Sequence, residues 1–132
     1  MMNNAETMLD LLEGRAREIA DTVRREVEAC APYAEFGLAL GVPTWSLFDR
    51  VVSLIPFERK CNLHFWRGSD LDAMLPGRLR GTGAGAIRFI ELRSLLDVDA
   101  EVKLLLREAF QLQIAHLAEA EAGLEGKVAL SR

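Results

Sequence analysis

The side chains best suited to chemistry cluster in the segment Lys60-Cys-Asn-Leu-His-Phe-Trp66. Along an extended backbone, alternation puts Cys61, Leu63 and Phe65 on one face and Asn62, His64 and Trp66 on the other. A sheet covered by helices on one side leaves its second face open. Trp45 and Arg88, from two other extended segments, are expected to join His64 and Trp66 there. Aromatic rings beside an imidazole and a guanidinium suit an anionic ligand, a peptide or a base. Catalytic chemistry is poorly supplied by comparison. No serine sits in a nucleophile elbow, no carboxylate pair is marked out by spacing, and His116 lies in a helical stretch. The candidate ligand-binding set is therefore Trp45, Asn62, His64, Trp66 and Arg88, with no catalytic residue, and the function class is a non-enzymatic binding module.

A second set could hold a metal. Glu6, Asp10, Glu13 and Asp21 lie along the first helical segment, and carboxylate oxygens suit hard cations. Arg15, Arg17, Arg24 and Arg25 are interleaved with them and neutralise the field a cation needs. Glu13 with Arg17 and Asp21 with Arg25 are each four apart in the favourable order, which reads as a self-paired, solvated face. Metal binding at these carboxylates is an alternative reading; otherwise no cofactor is implied.

The glycine-rich stretch from Leu79 to Leu92 has Gly81, Gly83 and Gly85 beside Arg80 and Arg88. A phosphate cradle needs a loop that opens a helix, so that free amides and the helix dipole face the anion. A nucleotide loop also needs a lysine and a hydroxyl directly after the last glycine. Here Ala86-Ile87 follows and leads into a strand. The glycines read as a close, flexible approach to that strand.

The elements that must position these residues follow from apolar spacing. Residues 6 to 30 carry Leu9, Leu12, Ala16, Ile19, Val23, Val27 and Cys30 at helical intervals, and Ala31-Pro32 ends the helix. Gly14 is a small cost within it. Four short segments rich in β-branched and aromatic residues follow at 36–40, 44–48, 51–57 and 61–66, linked tightly enough for antiparallel neighbours. Pro56 suits a strand end. Ser69 can cap a helical turn over 70–75, with Asp72 as its capping-box acid and Pro76-Gly77 as the stop. Residues 86–92 form another strand. A long helix is expected from Asp97 to about Glu121, with residues 122–132 as a flexible tail. Its apolar arc, from Val98 and Val102 to Ile114 and Leu117, is broad for covering one small sheet, which favours a homodimer. The class is α+β: an antiparallel sheet with the N- and C-terminal helices on one face.

Composition narrows the partners. The 132 residues suit a single domain, and half of them are hydrophobic. No apolar run approaches a membrane span, and the N-terminal residues do not form a secretory signal. Cys30 and Cys61 have no metal-ligand or Cys-x-x-Cys spacing and read as reduced, buried thiols, so the expected location is the cytoplasm. The net charge of −4 argues against strong nucleic-acid binding. Residues 49–93 nevertheless hold eight Lys and Arg against five Asp and Glu, which leaves weak nucleic-acid binding through the middle segment as a third reading.

Several motifs together resemble a known family. Ala31-Pro32, Gly41-Val42-Pro43, Asn62-Leu63-x-Phe65, Arg67-Gly68, Gly81-x-Gly83 and Arg88 occur in the order and spacing of the YdhG-like domains of unknown function. These are small bacterial domains grouped by fold with frataxin (CyaY) and the YjbR proteins, and the resemblance covers roughly residues 18 to 112. It implies a frataxin-like two-layer sandwich. The family has no agreed activity. Frataxin kinship implies the alternative function, an iron-binding or iron-chaperone protein using Glu6, Asp10, Glu13 and Asp21 with iron as its cofactor, and YjbR kinship is what brings in nucleic acid.

Overall fold

A computed structural model describes residues 3–81 and 85–130. The chain is a two-layer α+β sandwich. Its sheet is a five-stranded antiparallel meander in the order β1-β2-β3-β4-β5, with β1 at Glu35–Ala39, β2 at Val42–Leu47, β3 at Asp49–Pro56, β4 at Cys61–Phe65 and β5 at Arg88–Leu92. The N-terminal helices are α1, Asn4–Asp10, and α2, Gly14–Cys30; α3 is the short helix Gly68–Asp72 and α4 is Ala100–Leu130. Short links force β1 to β4 to pair as consecutive neighbours, and β5 joins beside β4 after the longer connection that carries α3. Pro56 closes β3, where it costs the sheet no central donor.

Helices α2 and α4 touch each other and lie on the same face of β3. The apolar stripe of α2 is buried through Ala16, Ile19, Ala20, Val23 and Val27. It meets Leu54, Leu63, Phe65 and Leu92 from the sheet and Val102, Leu105, Leu106 and Phe110 from α4 in one core. Every one of those sheet residues sits on the face that alternation assigns to the helices.

The first helix expected over 6–30 is two helices. Gly14 has φ of +59°, a left-handed conformation that breaks the helix at little cost only for glycine. Asn3 caps α1 by accepting from the Glu6 amide at 2.8 Å, and the Arg17 guanidinium donates back to the Asp10 carbonyl across the elbow. The capping of α3 also differs. Arg67 occupies the cap position without a side-chain bond, while the Ser69 amide donates to the Ala86 carbonyl at 2.8 Å. The last helix starts later than expected: Asp97 belongs to a 3₁₀ turn, and the Asp99 carboxylate caps α4 by accepting from the Val102 amide at 3.0 Å. The same helix continues to Leu130 through residues read as a flexible tail, because Ala, Glu, Leu and Lys there are strong helix formers. No helix among the described residues is long and apolar enough to cross a membrane.

Candidate functional site

The face of the sheet opposite the helices carries a row that crosses four strands. Thr44 pairs with Ser53, Ser53 with His64, and His64 with Phe89. Paired residues of antiparallel strands project to the same side, so these four side chains stand together. Thr44 and Ser53 are each only 2% exposed although no helix covers them. Their burial comes from their neighbours. Trp66, just past β4, donates its indole N–H to Ser53 Oγ at 2.8 Å and carries Arg50 against its ring, 4.8 Å from the centroid.

The hydroxyls close on themselves. Thr44 Oγ1 donates to the Val42 carbonyl at 3.0 Å and lies 2.7 Å from Ser53 Oγ. With the single Thr44 proton committed to Val42, the Ser53 proton goes to Thr44 and Ser53 accepts from Trp66. The floor is therefore buried, satisfied and rigid. His64 differs. Its ring stacks on Phe89 at 5.1 Å between centroids and 14° between planes, and among the described residues it has no hydrogen-bond partner. Burial holds its pKa below the ordinary 6.5, because the charged form loses more hydration than the neutral one. A neutral imidazole offers one donor and one acceptor.

Above this floor is a cavity of about 220 Å³. Its walls are the aliphatic side chains of Leu40, Val42, Ile55 and Ile87, with His64 and Trp66 between them. Leu40 forms the rim. It occupies a two-residue hairpin turn with Gly41, at φ of +53° and +78° respectively, the geometry that favours Asn-Gly. A leucine in left-handed backbone is strained, and this one is 79% exposed.

Of the five residues expected to form the site, the structure places Asn62, His64 and Trp66 at this face. Asn62 lies one row away, paired with Ile55 and Glu91, and its Oδ1 is buried with no partner among the described residues. Trp45 belongs to the core. It is 2% exposed and stacks on Phe36 at 4.4 Å, because Pro43, Trp45 and Leu47 share the helix-facing side of β2. Arg88 also faces away: it pairs with buried Phe65, and its Nη1 donates to the carbonyls of Gly85 and Ile87 at 2.7 and 2.8 Å. It organises the entry to β5. The glycine stretch does lead into that strand, although residues 82–84 at its centre lie outside the described residues.

Leu40, Val42, Ser53, Ile55, Phe89 and Ile87 went unrecognised as members of this face. Alternation carried the signal for two of them: Ser53 lies between buried Val52 and Leu54, and Phe89 between Arg88 and Ile90.

The acidic set is largely paired with arginine. Asp10 lies 3.5 Å from Arg17 and 3.9 Å from Arg24, Glu6 lies 3.9 Å from Arg24, and Asp21 lies 3.1 Å from Arg17. Neither pair expected from spacing forms: Arg17 reaches Asp10 across the elbow and Asp21 one turn on within α2, and Arg25 donates to the Thr22 hydroxyl. Glu13 is the residue before α2 and makes no capping bond. Among the described residues no group of three or more His, Cys, Asp or Glu stands together to hold an ion. A hard cation would have to displace two guanidinium groups, so this arrangement does not fit iron.

A further ion-pair cluster lies at the β5 edge. Glu91 meets Lys60 at 3.0 Å, Arg93 at 3.1 Å and Arg80 at 3.8 Å. Hydrogen bonds from Lys60 and Arg93 hold its carboxyl below the usual range.

No family model, curated protein or solved structure matches the chain.

Proposed function

We propose that this protein is a non-enzymatic binding module whose ligand sits on the open face of the sheet, in the basin between His64 and Trp66. The observation that carries the reading is the basin itself: an apolar cavity on the face the helices leave uncovered, with a neutral imidazole in its wall that has no hydrogen-bond partner among the described residues. Among the described residues the one hydroxyl lining the cavity is that of Ser53. His64 is its cross-strand neighbour, but the Ser53 hydroxyl spends its proton on Thr44 and accepts from Trp66, so it is not aligned on the imidazole. Amide chemical-shift mapping against mixed small molecules tests the proposal. Perturbations gathered at Ser53, His64 and Trp66 are expected, and perturbations confined to the helical face would refute it.

The likeness to YdhG-like and frataxin-like domains belongs to the same proposal, supported by the motif order and by the sequence of elements around the sheet, as does a cytoplasmic location, supported by two unpaired cysteines. A homodimer is the proposed assembly. Ile114 is 38% exposed on α4 and shares an apolar hollow with Tyr33, Leu47 and Leu117 beyond the end of the sheet. Light scattering at rising concentration should give twice the chain mass, and a constant monomer mass would refute the assembly.

A further inference from the structure

We infer that the basin takes an uncharged, ring-bearing small molecule with one hydrogen-bonding group, a phenol- or indole-like compound held between His64 and Trp66. The inference rests on the reading of the open face as the binding surface and goes on to its ligand class.

Charge comes first. Among the described residues no charged side chain lines the cavity. The nearby guanidinium groups are committed, Arg50 to the Trp66 ring and Arg88 to two carbonyls. A carboxylate or ammonium entering here would lose hydration without gaining a counter-charge. The polar inventory then limits the ligand to bonds with one side chain. The Ser53, Thr44 and Trp66 groups are satisfied among themselves and by the Val42 carbonyl, and among the described residues lining the cavity His64 has a donor and an acceptor to give.

Size and shape narrow the class further. The cavity of about 220 Å³ exceeds the roughly 150 Å³ that takes a benzene ring. Room is left for one ring and a few more atoms. An imidazole and an indole side by side in one lining favour a flat π-system over a flexible chain. Leu40 is the independent observation. It is an exposed leucine in strained backbone at the rim, where asparagine would be relaxed. An apolar rim kept against local strain fits an apolar occupant.

The test is titration of the intact protein with phenol, indole, cyclohexanol, benzoate and N-acetyltyrosine amide, followed by amide shifts and by the Trp66 indole N–H. Phenol and indole should saturate with common shifts at Leu40, Ser53, His64 and Trp66. Benzoate at neutral pH should bind at least about tenfold more weakly, and Leu40→Asn should weaken phenol by about fivefold. Benzoate matching phenol at these residues would overturn the neutral-ligand inference while leaving the open face as a binding surface. Cyclohexanol matching phenol would overturn the ring. Tighter binding of the tyrosine amide than of phenol would replace the small molecule with a protein side chain. No shift at these residues with any probe would overturn both the inference and the function it rests on.

Discussion

Gly68→Ala should be among the most damaging single-methyl changes in this protein. A Cβ built on Gly68 falls 2.4 Å from Arg88 Cβ, 2.6 Å from Arg88 N and 2.8 Å from Arg88 Cγ, whereas ordinary contacts lie at 3.4–4 Å. The start of α3 and the start of β5 would have to separate by about 1 Å, a strain of the overpacking kind that costs about 1–3 kcal/mol. Neither side yields easily. The Arg88 backbone is fixed by pairing with Phe65, and its guanidinium grips Gly85 and Ile87. The bond from the Ser69 amide to the Ala86 carbonyl, 2.8 Å long, spans the same junction and would be stretched, adding about 1 kcal/mol. The expected loss is therefore about 2–4 kcal/mol, against the helix propensity that would make alanine the better residue. Urea unfolding should show a midpoint lowered by about 1–2 M with an unchanged slope. A variant within about 0.5 kcal/mol of the parent, or more stable than it, would refute the close approach of α3 to β5.

Three further outcomes can be checked in the same preparation. Leu40→Asn should raise stability by about 1 kcal/mol by relieving left-handed strain, and melting temperature by about 3–5 °C; a decrease would mean that Leu40 packs in a way its exposure denies. Cys61 is fully buried, with its thiol pushed up to about 12, so a thiol reagent should modify Cys30 first and Cys61 only on unfolding; equal native rates would refute that burial. The folded-state pKa of His64 lies below its unfolded value, so the unfolded chain takes up its proton first as pH falls. Its contribution to stability should be complete above about pH 6.5 and be lost as pH drops from there to the folded value. Urea midpoints across that range should fall in the parent and fall less in His64→Gln, and identical profiles would refute the assignment.

Much of the layer structure was legible because it rests on periodicity. The α2 stripe and the alternation in β4 identify which side meets the helices, and the buried residues are the ones those patterns select. The break at Gly14 was less legible, since one glycine inside a helical pattern is as consistent with a small cost as with an elbow. The decision came from tertiary contacts: α1 packs on β1 and β2, and Asn3 donates to the Phe36 carbonyl at 2.9 Å. The chemistry of Trp45 and Arg88 favours the open face, but their own alternation places them on the other. In β2 the polar Thr44 and Ser46 face away from Pro43, Trp45 and Leu47, and in β5 Arg88 shares its side with Ile90 and Leu92.

What alternation could not disclose is that the open face is concave. A half-covered antiparallel sheet should show a wet second side, yet Thr44 and Ser53 lie on that side and are almost inaccessible. The residues around them come from the strand ends and turns: Trp66 folding back from β4, Leu40 from the first hairpin and Ile87 before β5. Their positions depend on turn geometry and on one indole hydrogen bond, neither of which has a period. The hydroxyl pair beneath them explains why the arrangement holds. Apolar residues at 44 and 53 would leave the Trp66 N–H without its acceptor, and the ring would lose the anchor that makes it a wall. Two small polar residues in the middle of a sheet, easily read as surface decoration, are on this argument what turns a flat face into a basin.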